Sequence, residues 1–123
     1  MTRLKQKYRI TGGNRLHGRV RMSGSKNGAD YAIAAALLSA EDVVLHNVPD
    51  IGDVRRMEEI LEHLGATVEQ PSPSSLRINC SNVTRWDVPV PMAAQLRASF
   101  LVMGPLLARL GRHFGIPGRS AII

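Results

Sequence analysis

Between residues 17 and 80 the spacing of apolar side chains switches between the two-residue period of a half-buried strand and the three-to-four-residue period of a helix. The resulting order is strand, helix, strand, helix, strand, strand. It predicts an α+β (α/β) fold built from a βαβαββ unit. Leu16, Val20 and Met22 alternate with polar residues, as do Tyr8 and Ile10 before Thr11-Gly12-Gly13-Asn14, which reads as two strands joined by a turn. A helix is predicted over 26–40, with Ala29, Ile33, Ala36, Leu37 and Ala40 on one face and Ser25 as its N-cap. Val43, Val44 and Leu45 form a short strand. A second helix runs from a cap at Asp53 to Leu64, burying Val54, Met57, Ile60, Leu61 and Leu64, and stops at Gly65. Strands over 66–69 and 76–80 follow, separated by the turn residues 70–74.

The pattern divides the chain at two points. Residues 17–80 read as one complete βαβαββ unit, preceded by a strand region over 1–16. Residues 81–123 read as the start of a second unit that stops unfinished. Its main feature is a helical pattern over 92–110, with Leu96, Phe100, Met103, Leu107 and Leu110 in register and a break expected near Pro105. Trp86 reads as a packing anchor in the loop before it. Uncovered sheet edges and an apolar helix face predict self-association.

Hydrophobic residues make up 44% of the 123, enough for a packed core. No apolar stretch approaches the roughly 20 residues that span a bilayer, and no signal segment opens the chain, which predicts a cytoplasmic protein with no membrane partner. The formal charge of +6 is concentrated at one end: residues 1–21 carry seven basic and no acidic side chains, while the other 102 hold 9 basic against 10 acidic. The five aromatic residues do not interleave with the basic ones as stacking platforms would, so no nucleic-acid partner is expected. A single cysteine, Cys80, excludes an internal disulfide, and His17, His46, His63 and His113 lack the spacing of metal ligands.

Two segments carry charge where an anion could use it. In Ser23-Gly24-Ser25-Lys26-Asn27 a strand end feeds a helix start, where unpaired amides and the helix dipole favour an anion and Lys26 adds a full charge. The competing reading is a solvated lysine in a first helical turn. Arg97 enters a stretch, 98–108, that holds no charge, so its guanidinium either meets a ligand anion or pairs with an internal carboxylate.

These segments, with Asn47-Val48-Pro49, Asp53-Val54, Leu96-Arg97-Ala98-Ser99, 104–109 and Pro117-Gly118, resemble the enolpyruvyl transferases, and within them the sugar-nucleotide branch. The likeness runs from about Tyr8 to Gly118 with the motifs in the same order. It implies part of an inside-out α/β barrel made of βαβαββ units, in which the strand near Tyr8 packs with a distant C-terminal domain. The implied reaction moves the enolpyruvyl group of phosphoenolpyruvate onto the 3′-hydroxyl of UDP-N-acetylglucosamine, in peptidoglycan precursor synthesis, through a tetrahedral intermediate and with release of phosphate. No metal and no organic cofactor are implied. By match, Lys26 neutralises phosphoenolpyruvate charge, Asn27 contacts the sugar nucleotide, and Arg97 with Ala98 lines the same anionic site.

One loop departs from the family. Where the family carries Pro-Gly-Gly-Cys, with the cysteine or an aspartate as general acid, this chain reads Pro117-Gly118-Arg119-Ser120. A serine hydroxyl does not deliver a proton near neutral pH as a tuned thiol or carboxyl does. The arginine and aspartate that follow in the family have no counterpart before Ile123. Turnover by this chain alone is therefore not expected, and a non-catalytic anion-binding or assembly module of the same fold is the alternative to a transferase.

Overall fold

The computed structural model describes residues 7–111. Helix α1 spans Lys26–Ala36, strand β1 Asp42–His46, helix α2 Gly52–Leu64, and strands β2 and β3 Thr67–Ser72 and Ser75–Asn79. Helix α3 (Val90–Gln95), a 3-10 helix (Arg97–Val102) and helix α4 (Met103–Leu110) follow. The sheet order is β1-β3-β2 with both pairings antiparallel, so β1 and β2 run the same way on either side of β3.

Alternation in β3 builds two unlike faces. Leu76 and Ile78 point into the core, whereas Arg77 and Asn79 point out, where Asn79 donates to Asp42 at 2.7 Å and Arg77 pairs with Glu69 at 3.6 Å. On the inner face lie α1 and α2. Ile33, Leu37, Met57, Leu61, Leu64, Leu76 and Ile78 are each at most 1% exposed, and each contributes on the order of 1.5–3 kcal/mol by leaving water. The buried set of α2 is the one its periodicity predicted, and Gly65 closes the helix at φ 108° with its amide on Glu62 O. A side chain at Gly65 would also meet the Asn82 carbonyl oxygen at 2.8 Å.

Several boundaries differ from expectation for identifiable reasons. The first pair of strands does not form: Tyr8, Ile10, Leu16, Val20 and Met22 lie in irregular chain at 79–93% exposure. A strand needs a neighbour for its amides and a surface for its apolar side, and this segment joins neither edge of the sheet. Helix α1 ends at Ala36 rather than residue 40, its last amides tightening into bonds from Leu38 to Ala35 O and Ser39 to Ala36 O. Strand β2 continues through Pro71 because it is an edge strand and its register shifts between Glu69 and Ser72, where the missing N–H of proline costs no ladder bond. The turn is confined to Pro73-Ser74.

The pattern over 92–110 resolves into three pieces. Leu96 is extended (φ −138°, ψ 119°) and breaks the run between α3 and the 3-10 helix, and α4 restarts at Met103. Pro105 falls in the first turn of α4, where its lacking N–H has no intrahelical partner to lose. Leu96, Val102 and Leu106 join the same buried cluster as the helices before them. Arg109 donates to Leu37 O at 2.9 Å and Ser39 O at 3.2 Å, so α4 supplies the cation that the last turn of α1 lacks. Trp86 stands at the surface, 37% exposed, rather than anchoring the loop.

Candidate functional site

The start of α1 is held by two features of Ser23-Gly24-Ser25-Lys26-Asn27. Ser25 is the N-cap, its Oγ accepting from the Gly28 amide at 3.1 Å. Gly24 lies so close to the loop after β1 that a Cβ there would sit 1.7 Å from Asn47 O. Asn47 itself takes a positive φ of 57°, and the next residue, Val48, donates to Ser74 O at 2.9 Å, tying that loop to the β2-β3 turn. The small residues before Lys26 are thus a close-packing device.

Lys26 Nζ donates to Asp53 Oδ2 at 3.0 Å and lies 3.7 Å from Asp30 Oδ2. The hydrogen bond to Asp53 raises the lysine above its ordinary pKa, burial opposing, so the ammonium stays charged at physiological pH. The sequence pattern makes Asp53 the cap of α2. Instead the cap position is Ile51, with no side-chain bond, and the Asp53 carboxylate in the first turn faces Lys26. Asp30 is 2% exposed, its Oδ1 has no hydrogen-bond partner among the described residues, and burial pushes its carboxyl up while Lys26 pulls it down.

Asn27, beside Lys26, is exposed. Arg97 opens the 3-10 helix and is exposed, and among the described residues no carboxylate lies within ion-pair distance of it. Ala98 is half-buried next to it, and Ser99 is buried with its hydroxyl on Ala93 O at 3.1 Å. The 3-10 helix packs against both α1 and α2, so the elements carrying Lys26 and Arg97 are in contact. A groove of about 260 Å³ between α1 and the end of β1 is lined by residues such as Gly24, Gly28, Leu45 and Asn47, and by none of Lys26, Asn27, Arg97 or Ala98. Ser120 and the rest of its loop lie outside the described residues.

Of the other reactive side chains, two histidines have polar partners and the cysteine is buried, while His113 lies outside the described residues. His46 Nδ1 is 3.2 Å from Ser75 Oγ, and His63 Nε2 is 3.1 Å from Asp87 O. Cys80 is fully buried and burial pushes its thiol up. Sequence reasoning missed the two carboxylates around Lys26. The four-residue offset of Asp30 on one helix was a readable signal, while Asp53, 27 positions away, had none.

The EPSP synthase (3-phosphoshikimate 1-carboxyvinyltransferase) family model matches residues 10–122. A UDP-N-acetylglucosamine 1-carboxyvinyltransferase of Campylobacter hominis is 39% identical over 114 residues, covering 92% of this chain and 27% of the relative. Its counterpart in Solibacter usitatus is 44% identical over 117 residues, covering 94% and 28%. Among solved structures, the enolpyruvyl transferase NikO from Streptomyces tendae superimposes with a TM-score of 0.70 at 30% identity, covering 81% of this chain and 23% of that one. The chain thus spans little more than a quarter of the length of these curated relatives.

Proposed function

Because the chain belongs to the EPSP synthase family of enolpyruvyl transferases, we propose that it carries the donor-binding part of a UDP-N-acetylglucosamine 1-carboxyvinyltransferase. The reaction adds the sugar 3′-oxygen to C2 of phosphoenolpyruvate and a proton to C3, then expels phosphate as C3 gives a proton back. The product is the enolpyruvyl ether used in peptidoglycan precursor synthesis, a cytoplasmic step. Lys26 and Arg97 neutralise the phosphate and carboxylate of the donor, with Ala98 beside them, Asn27 meets the sugar nucleotide, and in the sequence Ser120 stands at the position of the family's proton donor.

The observation that carries this reading is the Lys26 ammonium, held charged at the capped start of α1, on a helix in contact with the segment that Arg97 opens. A trianionic donor needs cations that keep their charge at neutral pH and are positioned before it arrives. Relatives about 40% identical that bear this enzyme's name support the choice of acceptor. The exposed apolar side chains of residues 8–22 support self-association of the chain.

Calorimetric titration of the 123-residue chain with phosphoenolpyruvate tests the reading. Weak binding is expected that falls as salt rises and is lost in both Lys26→Ala and Arg97→Ala. Affinity equal in the parent chain and both variants would overturn it.

A further inference from the structure

Among the described residues Asp30 is the charged side chain that the fold buries, and no role in the proposed donor site calls for it. Its Oδ2 lies 3.7 Å from Lys26 Nζ, the same ammonium that Asp53 holds at 3.0 Å, and its Oδ1 touches no donor among the described residues. One cation is therefore shared by two carboxylates, and with all three ionised the cluster carries a net negative charge where an anion is expected. Asp53 is partly exposed and water can solvate it when Lys26 turns to a ligand. Asp30 has no such outlet, because its side chain is 3% exposed on a helix covered by α2 and the 3-10 helix. A buried carboxylate that loses its only cation is relieved by taking a proton.

We propose that Asp30 sets the charge of the Lys26 cluster through a proton: ionised, it shares the ammonium with Asp53 and opposes an incoming anion, and it takes one proton from solvent when an anionic donor draws that ammonium away. The inference rests on the reading that Lys26 binds phosphoenolpyruvate. The charged groups acting on Asp30 are Lys26 on its own helix and Asp53 on α2. Elsewhere on α2, Arg55 is held by Asp50 and Arg56 by Gln95. From the 3-10 helix the charged residue is Arg97, which makes no ion pair with it, and from β3 it is Arg77, on the opposite face of the sheet with Glu69. Burial already holds this carboxyl above the ordinary aspartate range, with Asp53 adding to the shift and Lys26 opposing it, so losing Lys26 to a ligand raises it further.

The test compares phosphoenolpyruvate affinity of the 123-residue chain with that of Asp30→Asn across pH. At about pH 8 the variant should bind roughly tenfold tighter, since one unit charge near the ligand has been removed. As pH falls the gap should narrow and then close, because Asp30 takes up a proton first in the bound and then in the free parent chain. Protonation of the donor itself affects both chains alike and cancels in the comparison. Carbon-13 NMR of the Asp30 carboxyl reads the same event without a variant: its titration midpoint should rise when phosphoenolpyruvate is added, which decides the matter even if Asp30→Asn fails to fold. Equal affinities at every pH, or a midpoint unmoved by bound donor, overturn the role of Asp30 and leave the donor reading standing. Binding absent from both chains, or indifferent to Lys26→Ala, overturns the donor reading and this inference with it.

Discussion

Replacing Gly24 with alanine adds one methyl group at the place where the chain before α1 crosses the loop after β1. The new Cβ would sit 1.7 Å from Asn47 O, 2.9 Å from Asn47 C and 3.3 Å from Pro49 Cδ. Restoring ordinary contact with the carbonyl oxygen requires the two backbones to part by about 1.7 Å. Neither side yields freely. The loop is tied down by Val48 N to Ser74 O at 2.9 Å, and the helix start by Ala29 N to Ser25 O at 2.9 Å and by the Ser25 cap. Overpacking of this kind costs about 2–3 kcal/mol, which at a urea m-value of roughly 1.3 kcal/mol/M lowers the denaturation midpoint by about 2 M. Gly104→Ala is the control: nothing lies within 4 Å of the methyl it would add, and it sits in α4, where alanine is favoured by roughly 0.5 kcal/mol. Urea unfolding followed by circular dichroism reads both. A Gly24→Ala midpoint within about 0.3 M of the parent chain would refute the reasoning that this glycine exists for close approach.

Three further outcomes follow from the packing and the charges. Asp30 has a folded-state pKa above its unfolded one, so its contribution is fully present below the unfolded value and is lost as pH rises through the folded value; Asp30→Asn should therefore be more stable than the parent chain near neutrality and indistinguishable from it in acid, by thermal melts across pH. Arg109→Ala removes two bonds to the end of α1, both from one guanidinium nitrogen, and should cost about 2 kcal/mol in urea unfolding, a loss that lysine at 109 should largely restore, since one ammonium carries donors for both carbonyls. Cys80 is fully buried with its thiol pushed up by burial, so a disulfide reagent at mildly alkaline pH should label it in urea and leave it unlabelled in the native chain.

What could be read from residue order was whatever depended on local spacing. The face of α2 and its stop at Gly65 are written in positions 54–65, and the inward pair Leu76 and Ile78 in a single alternation. The Ser25 cap was readable because a cap acts three residues away. The alternation at 8–22 satisfied the same rules and formed no strand, since pairing is settled by a neighbour that spacing does not name. At the site, Lys26 and Arg97 stood out as cations in apolar or small-residue surroundings. The carboxylate that holds Lys26 did not, because Asp53 satisfied the local signature of a helix cap and was diverted by a tertiary contact 27 positions away. Gly24 carries no local sign that it serves close contact, which only the position of Asn47 decides.

On the proposed reading Lys26 and Arg97 serve one anion although 71 positions separate them in the chain. A crystal structure of the chain with phosphoenolpyruvate bound measures this without an intermediary. The expected complex has the Lys26 ammonium and the Arg97 guanidinium within about 4 Å of the same donor molecule, with Asp53 no longer the nearest partner of Lys26. A donor touched by only one of them, with the two charged ends more than about 15 Å apart and so beyond a Debye length, would overturn the shared site.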